Sequence, residues 1–269
     1  MKQLARLPWL GLGILLVMVL ASVFGPDIWP RDALKQNYAQ LYAAPSAEHP
    51  LGTDNLGRDV LARVLLGGRI SLTIAGLATL GALSMGLILG LLAGGRGSLL
   101  DIILTRISDA LLAFPGFLLV LLVVVILGNG QAQTIAALAV GGTPAFFRLT
   151  RGYTRSILGT EYVTAARALG AKNQRILPRH VLPNIVGPLI VQAASVAAVF
   201  LLVEASLSFL GLGIAPPTPT WGNVLQDARA LLTRQPWAAL GPGLVLGATA
   251  LGLQLVSDGL RDRFDPRSR

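Results

Sequence analysis

The chain has 269 residues, of which 53% are hydrophobic and 13% are charged, and its formal net charge is +9. Soluble domains carry about 25% charged residues, so this composition argues against an ordinary soluble protein and favours an integral membrane protein. The sequence contains no cysteine, which excludes disulfides and thiolate chemistry, and its two histidines have no neighbouring ligands that would predict a zinc site.

Six segments are candidates to cross a bilayer, which requires roughly 20 apolar residues in a helix. They are Pro8–Phe24, Ile70–Ala93, Ile102–Leu127, Thr134–Leu149, Ile185–Val203 and Trp237–Val256. The first also resembles a signal peptide, although no clear small-x-small cleavage site follows it. We therefore predict an all-α integral membrane protein with six transmembrane helices.

The third predicted span carries charge only near its inner end, at Asp101, Arg106 and Asp109. A spacing of three on a helix places Arg106 and Asp109 on one face, where they could pair. Pro115 can kink the same span. The centres of all six spans lack ionisable residues, which argues against a proton-coupled carrier. Their scattered serines, among them Ser71, Ser84 and Ser195, indicate no convergent solute site.

If Gly25 lies outside and successive spans cross the membrane in alternating directions, each charged residue can be assigned to one side. Fifteen basic and six acidic residues fall on the inner side, whereas the outer side holds seven of each. The positive-inside rule then predicts cytoplasmic N- and C-termini. The net charge of +9 is therefore explained by topology, without a nucleic-acid partner. The outer charges, which we expect in loops, include Arg58, Arg63, Glu204 and Asp227.

The most informative segment is the long inner loop 152–183. Thr160 is a possible N-cap, and Glu161 is favoured by the helix dipole in a first turn, so a short helix is predicted over Thr160–Leu169. Gly170 stands where a C′ glycine would end it. The Ala165–Ala166 pair offers a small surface suited to docking on another protein. On composition alone, a plain loop whose arginines only set the topology is an equally good interpretation.

Two outer segments remain ambiguous. The segment 204–236 is rich in glycine and proline, which predicts a fixed turn structure. It could form an external gate or a docking surface for a soluble binding protein, or it could simply plug the outer end of the bundle. In the other segment, local capping and neighbouring charges explain residues 52–54 and 58–59 without any ligand.

The inner loop resembles the EAA motif, E-A-A-x3-G-x9-I-x-L-P, of permease subunits in binding-protein-dependent ABC importers. The matching residues, at the full spacing, are Ala165, Ala166, Gly170, Leu182 and Pro183, whereas Thr164 stands at the motif's Glu and His180 at its Ile. The blocks 49–72, 204–225 and 258–266 are similar to "C" permeases of the dipeptide, oligopeptide and nickel branch. The resemblance covers nearly the whole chain.

This resemblance implies the type I ABC importer permease (MetI-like) fold, with an N-terminal transmembrane helix and external segment over 1–69 and a five-helix permease core over 70–269. It implies that Glu161–Gly170 is a coupling helix resting on an ATPase subunit. The residues expected to form the ATPase-coupling loop are Glu161, Thr164, Ala165, Ala166, Gly170, Leu182 and Pro183. Gly170 would allow a sharp turn, and Pro183 is expected to limit helix formation at the join to the fifth span.

The resemblance also implies partners and a location. The partners are a homologous second permease, one or two ABC ATPase subunits and an extracytoplasmic substrate-binding protein, and the location is the bacterial inner membrane, in contact with lipid. The solute would be a peptide or a related small solute, with nickel, metal chelates and glutathione as further members of the class.

Catalysis by this chain is not expected. The sequence has no G-x-x-x-x-G-K-[ST] phosphate loop, so we expect ATP and Mg²⁺ on partner subunits and no cofactor on this chain. A stand-alone secondary transporter is an alternative, which the uncharged span centres disfavour. An intramembrane enzyme is another, disfavoured because no nucleophile–base pair is evident.

Overall fold

The computed structural model describes residues 7–96, 99–229, 232 and 235–264, and its regular elements within these ranges are helices. The α-helices are α1 (Leu7–Ile28), α2 (Val60–Arg96), α3 (Leu99–Ala113), α4 (Gly116–Leu127), α5 (Gln131–Leu158), α6 (Glu161–Ala168), α7 (Asn173–Ile176), α8 (Leu182–Phe209), α9 (Trp221–Ala228) and α10 (Trp237–Phe264). Six of the charges sorted by side lie outside the described residues, namely Lys2, Arg6, Arg234, Asp265, Arg267 and Arg269.

The bundle has two ends, which are named here after the short helices that lie there. At the α6 end, α5 finishes, α6 and α7 follow, and α8 begins. At the α9 end, α8 finishes, α9 follows, and α10 begins. The segment before α2 also reaches the α9 end, because Arg58 donates a hydrogen bond to Asp227 of α9.

Four helical stretches in the described residues are long and apolar enough to cross a membrane: Pro8–Ile28, Val60–Gly95, Asn173–Phe209 and Trp237–Phe264. A fifth is added when α3 and α4 are taken as one broken span. The all-helical, membrane-spanning prediction is confirmed, whereas the count of six is not confirmed. Helix α2 begins ten residues before the predicted span, so the division into 1–69 and 70–269 falls within α2 and stays a prediction.

The predicted third span is broken at the proline that was expected to be able to kink it, and the chain bends by 98° between α3 and α4. The break lies at Phe114–Pro115, where proline removes a backbone donor. Asp109, which could have paired with Arg106, instead accepts a hydrogen bond from Arg148 of α5 at 2.7 Å. This face of α3 therefore contacts α5.

A second tie holds the start of α3 against the last turns of α5. Asp101 accepts hydrogen bonds from Arg151, at 2.5 Å from its Nε, and from Arg155. The carboxylate is buried, so these two guanidinium groups compensate a charge that would otherwise be costly to remove from water. Arg151 and Arg155, which lie on the predicted inner side, thus also hold α3 against α5.

Helices α2 and α5 pack closely through a glycine ridge. Gly86, Gly90 and Gly94 of α2, each four residues apart, face Phe146, Thr150 and Thr154 of α5 in that order. A Cβ atom on Gly90 would lie 2.6 Å from Cβ of Thr150, so only glycine permits this approach. Small residues at a spacing of four let membrane helices contact each other through their backbones.

Candidate functional site

The predicted short helix of the inner loop is present as α6, Glu161–Ala168, with Thr160 at its N-cap. The Thr160 hydroxyl does not cap the helix and donates to the Ile157 carbonyl at 2.6 Å. Of the four predicted coupling residues on α6, Glu161, Thr164 and Ala165 are exposed and Ala166 is half-buried. The face predicted to contact a partner is therefore accessible.

Gly170 ends α6 as predicted. Its φ of +87° lies in the left-handed region, which glycine adopts without a steric penalty. The amide of Gly170 donates to Arg167, and that of Ala171 donates to Ala166 at 3.0 Å. These two bonds form a Schellman motif, which satisfies carbonyl groups at the helix end and turns the chain.

The other side of the loop is fastened to the bundle. Val163, Ile176 and Val181 are fully buried. Asn173 donates from Nδ2 to the carbonyl of Gly95, at the end of α2, at 2.6 Å. Because α6 follows α5 directly and leads through α7 into α8, the loop is attached to three long helices, α2, α5 and α8.

Leu182 and Pro183 lie at the start of α8, beyond a π turn over Leu177–Val181. The expectation that Pro183 limits helix formation at this join is wrong, because the run Asn173–Phe209 is helical throughout. Pro183 occupies the first turn of α8. The proline N–H that is missing falls next to the π turn, where the Leu182 amide donates to the Leu177 carbonyl five residues back, so the change of hydrogen-bond register coincides with the proline and the helix continues.

An open groove lies beside α6. Its volume is about 530 Å³, and its lining includes Leu169, Lys172, Arg175, Arg179 and His180. Leu169 is 90% exposed, which is unusual for a leucine at the tip of a well-anchored loop. The surface thus combines one apolar projection with several positive charges.

The α9 end contains a buried ion cluster that the sequence did not predict. Arg58 contacts Asp54 through Nε at 2.6 Å, and both Arg58 and Arg63 donate to Oδ2 of Asp227 at 2.9 Å. The Arg58 and Arg63 side chains are only 5% and 3% exposed. Burial raises the pKa of the Asp227 carboxyl, and the charges of Arg63 and Arg58 oppose that shift.

Local capping in the segment before α2 agrees with the sequence interpretation. Asp59 accepts from the Ala62 amide at 2.6 Å, and Asp54 accepts from the amides of Leu56 and Arg58. His49 also contacts Asp59, at 2.7 Å from Nδ1. The two carboxylates therefore accept from backbone amides in local turns and also contact nearby basic side chains.

Five charges expected in outer loops lie within helices instead, so that placement is wrong for Asp27, Arg63, Arg69, Glu204 and Asp227. Glu204 is fully buried in α8, where Ser208 donates to it at 2.8 Å. The signal that could have indicated this is the apolar run ASLSF, which continues the helix by one more turn.

Helix α9 closes this end of the bundle. Trp221 is fully buried and donates from its indole nitrogen to the Val64 carbonyl at 2.9 Å. Val224 and Ala228 of the same helix are also buried. The burial of these α9 side chains supports the interpretation that segment 204–236 plugs the end of the bundle.

These features define a polytopic helical membrane protein with a rigidly attached, exposed helix between two of its long helices. Residues 86–269 match the family described as "Binding-protein-dependent transport system inner membrane component". Residues 5–45 match the "N-terminal TM domain of oligopeptide transport permease C". The chain therefore belongs to the family of inner-membrane components of binding-protein-dependent transport systems.

Similar proteins extend this match over the whole chain. The dipeptide transport system permease protein DppC of Alkalihalophilus pseudofirmus is 40% identical over 100% of this chain and 89% of its own length. The glutathione transport system permease protein GsiD of Pectobacterium atrosepticum is 42% identical over 95% of this chain and 85% of its own length. The oligopeptide transport system permease protein OppC of Bacillus subtilis is 36% identical over 98% of this chain and 87% of its own length.

The family assignment confirms the prediction of a permease subunit of an ABC importer. The chain is a transport subunit, and ATPase activity lies in separate subunits. The comparisons give no support to a stand-alone secondary transporter.

Proposed function

We propose that this permease subunit imports peptides or closely related small solutes, and that α6 couples it to ATPase subunits. The three relatives described above are named for transport of dipeptides, glutathione and oligopeptides, all of which contain amide-linked amino acids. Peptide-like solutes are therefore the class favoured here. In this proposal a homologous permease forms the other half of the path, and an extracytoplasmic binding protein delivers the solute.

The observation that carries the coupling role is the contrast between the two sides of the α6 loop. One side is fixed to the bundle by buried Val163, Ile176 and Val181, whereas the other side presents Leu169 to solvent. A partner that binds the exposed side and displaces the loop would therefore also displace the long helices to which the loop is packed. Rigid-body transmission of this kind is a recurrent way to link two conformational states.

The chemistry of the loop also indicates what the partner surface should offer. Leu169 suits an apolar depression, and the positive groove formed by Lys172, Arg175 and Arg179 suits an acidic rim. We assign this surface to one or two ABC ATPase subunits, which hold the ATP and Mg²⁺. The α6 end would then be cytoplasmic, in agreement with the excess of basic residues on the predicted inner side.

Replacing Gly170 tests the coupling role. Gly170→Leu forces a branched side chain into a left-handed conformation, at a cost of about 1–2 kcal/mol, and should distort the turn that positions Leu169. We expect ATP-driven uptake in proteoliposomes to be abolished while membrane insertion is normal. Gly247→Leu is the matched control, because Gly247 lies in α10, is exposed and has open space around it.

Two results would contradict this proposal. Normal uptake by the Gly170→Leu variant at normal expression would remove the coupling role from the loop. Purification of the tagged chain from native membranes without any Walker-type ATPase would contradict the proposed partners. The wild-type complex, with its binding protein, should take up a dipeptide only when ATP is present.

A further inference from the structure

A furrow runs along one side of the bundle, with α5 lining all three of its sections, α8 lining two of them, and α4 and α10 lining one each. Three adjoining cavities of about 280, 280 and 350 Å³ make it up. Gln192 lines both the first and the second, while Leu149 and Tyr153 line both the second and the third. The shared residues show that the cavities are sections of one surface.

One face of each helix forms the furrow. Its α5 wall extends from Leu138 to Ser156, and its α8 wall extends from Pro188 to Val203, with contacts recurring every three or four residues. At 1.5 Å per residue, the α5 wall is about 27 Å long. That length is close to the roughly 30 Å thickness of a bilayer's hydrocarbon core.

The chemistry of the furrow changes along its length. The section towards the α9 end is apolar and roomy, because Gly141 and Gly142 carry no side chain. The section towards the α6 end includes Tyr153 and Arg261. Gln192 lies where the two sections meet, with Ser195 one turn further along the same face.

Neither Gln192 nor Ser195 has a side-chain hydrogen bond within the described residues, although both are only partly exposed. A primary amide without a hydrogen-bond partner costs free energy in the hydrocarbon region of a membrane, so this position favours a surface where water or a solute supplies the hydrogen bonds. Helix α5 gives independent support. Although it is 28 residues long, it is not among the stretches of the described chain that are apolar enough to qualify as a membrane span, and a polar helix surface is better placed against water than against lipid.

We propose that this furrow is the chain's own wall of the solute path and that Gln192 is the side chain that contacts the amide groups of a passing peptide. The glutamine amide offers a donor and an acceptor together, which complements the N–H and C=O of a peptide main chain. It carries no charge, so it can bind successive amides without trapping one ionised form. This inference rests on the proposed import function and assigns a contact within it.

Single-cysteine labelling tests whether the furrow is wet, and the chain has no native cysteine to interfere. In the full complex in proteoliposomes, Gln192→Cys should react with a water-soluble methanethiosulfonate about tenfold faster than Ile190→Cys, because only the hydrated thiolate reacts. Ile190 is the matched position, exposed on another face of α8. Adding dipeptide-loaded binding protein and ATP should slow labelling at Gln192→Cys.

A transport assay tests the amide contact. Gln192→Leu keeps the size of the side chain but removes both hydrogen-bonding groups, so we expect uptake of a dipeptide per ATP hydrolysed to fall roughly tenfold. Gln254→Leu is the control, since Gln254 is exposed on α10 and contacts Asp258.

The outcomes separate the two proposals. If the wild-type complex takes up no peptide with ATP, the proposed function itself fails. If the wild type imports peptide but Gln192→Cys is as unreactive as Ile190→Cys, the furrow is covered and this inference is overturned. Wild-type uptake per ATP in Gln192→Leu would likewise overturn the assigned contact.

Discussion

Asp227 is the acceptor shared by two buried arginines at the α9 end. Arg58 and Arg63 each place an Nη2 atom 2.9 Å from the same carboxylate oxygen, although the three residues come from two segments far apart in sequence. The Asp227 side chain is 28% exposed, whereas both arginine side chains are almost fully buried. Without this carboxylate, the positive charges of the buried Arg58 and Arg63 would be less fully neutralised.

We therefore expect Asp227→Asn to destabilise the protein by about 3 kcal/mol, the lower end of the range for breaking a buried ion pair. The measurement is the thermal unfolding midpoint of the detergent-solubilised complex. Asp27→Asn is the matched control, because Asp27 pairs with Arg69 but is 71% exposed, and exposed pairs contribute about 0–1 kcal/mol. Equal midpoints for the two variants would show that the cluster is structurally unimportant.

At the scale of elements, the contact between α2 and α5 depends on glycine where the two backbones approach. Gly90→Ala would gain about 0.5–1 kcal/mol in helix propensity, but overpacking against Thr150 costs about 1–3 kcal/mol. The net expectation is a lower unfolding midpoint. Gly76→Ala on the same helix meets no atom within 4 Å, so its midpoint should be unchanged or higher.

The Gly90 comparison separates packing from helix propensity, because both variants add the same methyl group to one helix. A midpoint that rises equally in both would mean that α5 moves aside without cost. A fall confined to Gly90→Ala would confirm that the glycine ridge fixes the distance between α2 and α5, and with it the position of the α5 wall of the furrow.

Some elements could be predicted from the sequence because their signals are local. Thr160, Glu161 and Gly170 mark both ends of α6 within ten residues, and the structure has the helix there. The break at Pro115 was less predictable, since a proline can kink a helix or end it, and the outcome depends on the contacts of α3 with α5.

At the scale of the whole molecule, the features that the sequence could not predict are those that join distant segments. Arg58 and Asp227 are separated by 169 positions, and nothing in their spacing indicates that they meet. The same holds for Gln192, which looks like an isolated polar residue in an apolar span until α5 is placed beside α8. The family resemblance predicted the coupling loop, whereas the ion cluster and the furrow can be recognised only from three-dimensional contacts.

The asymmetry of the charges predicts the orientation of the molecule, and single cysteines can test that prediction directly. Lys35 is exposed in the segment before α2, and Leu169 is exposed at the tip of the α6 loop. If the α6 end is cytoplasmic, a membrane-impermeant maleimide should label Lys35→Cys but not Leu169→Cys in sealed right-side-out vesicles. Each chain then carries one thiol, because the native sequence has none.

The reason for this expectation is that basic residues close to span ends are retained on the cytoplasmic side during insertion. Labelling after unfolding in SDS provides the control for thiol reactivity, and both variants should react fully under that condition. The reverse pattern, with Leu169→Cys labelled in sealed vesicles and Lys35→Cys protected, would invert the topology. It would also place α6 where no cytoplasmic ATPase could contact it, so the coupling role would fall together with the orientation.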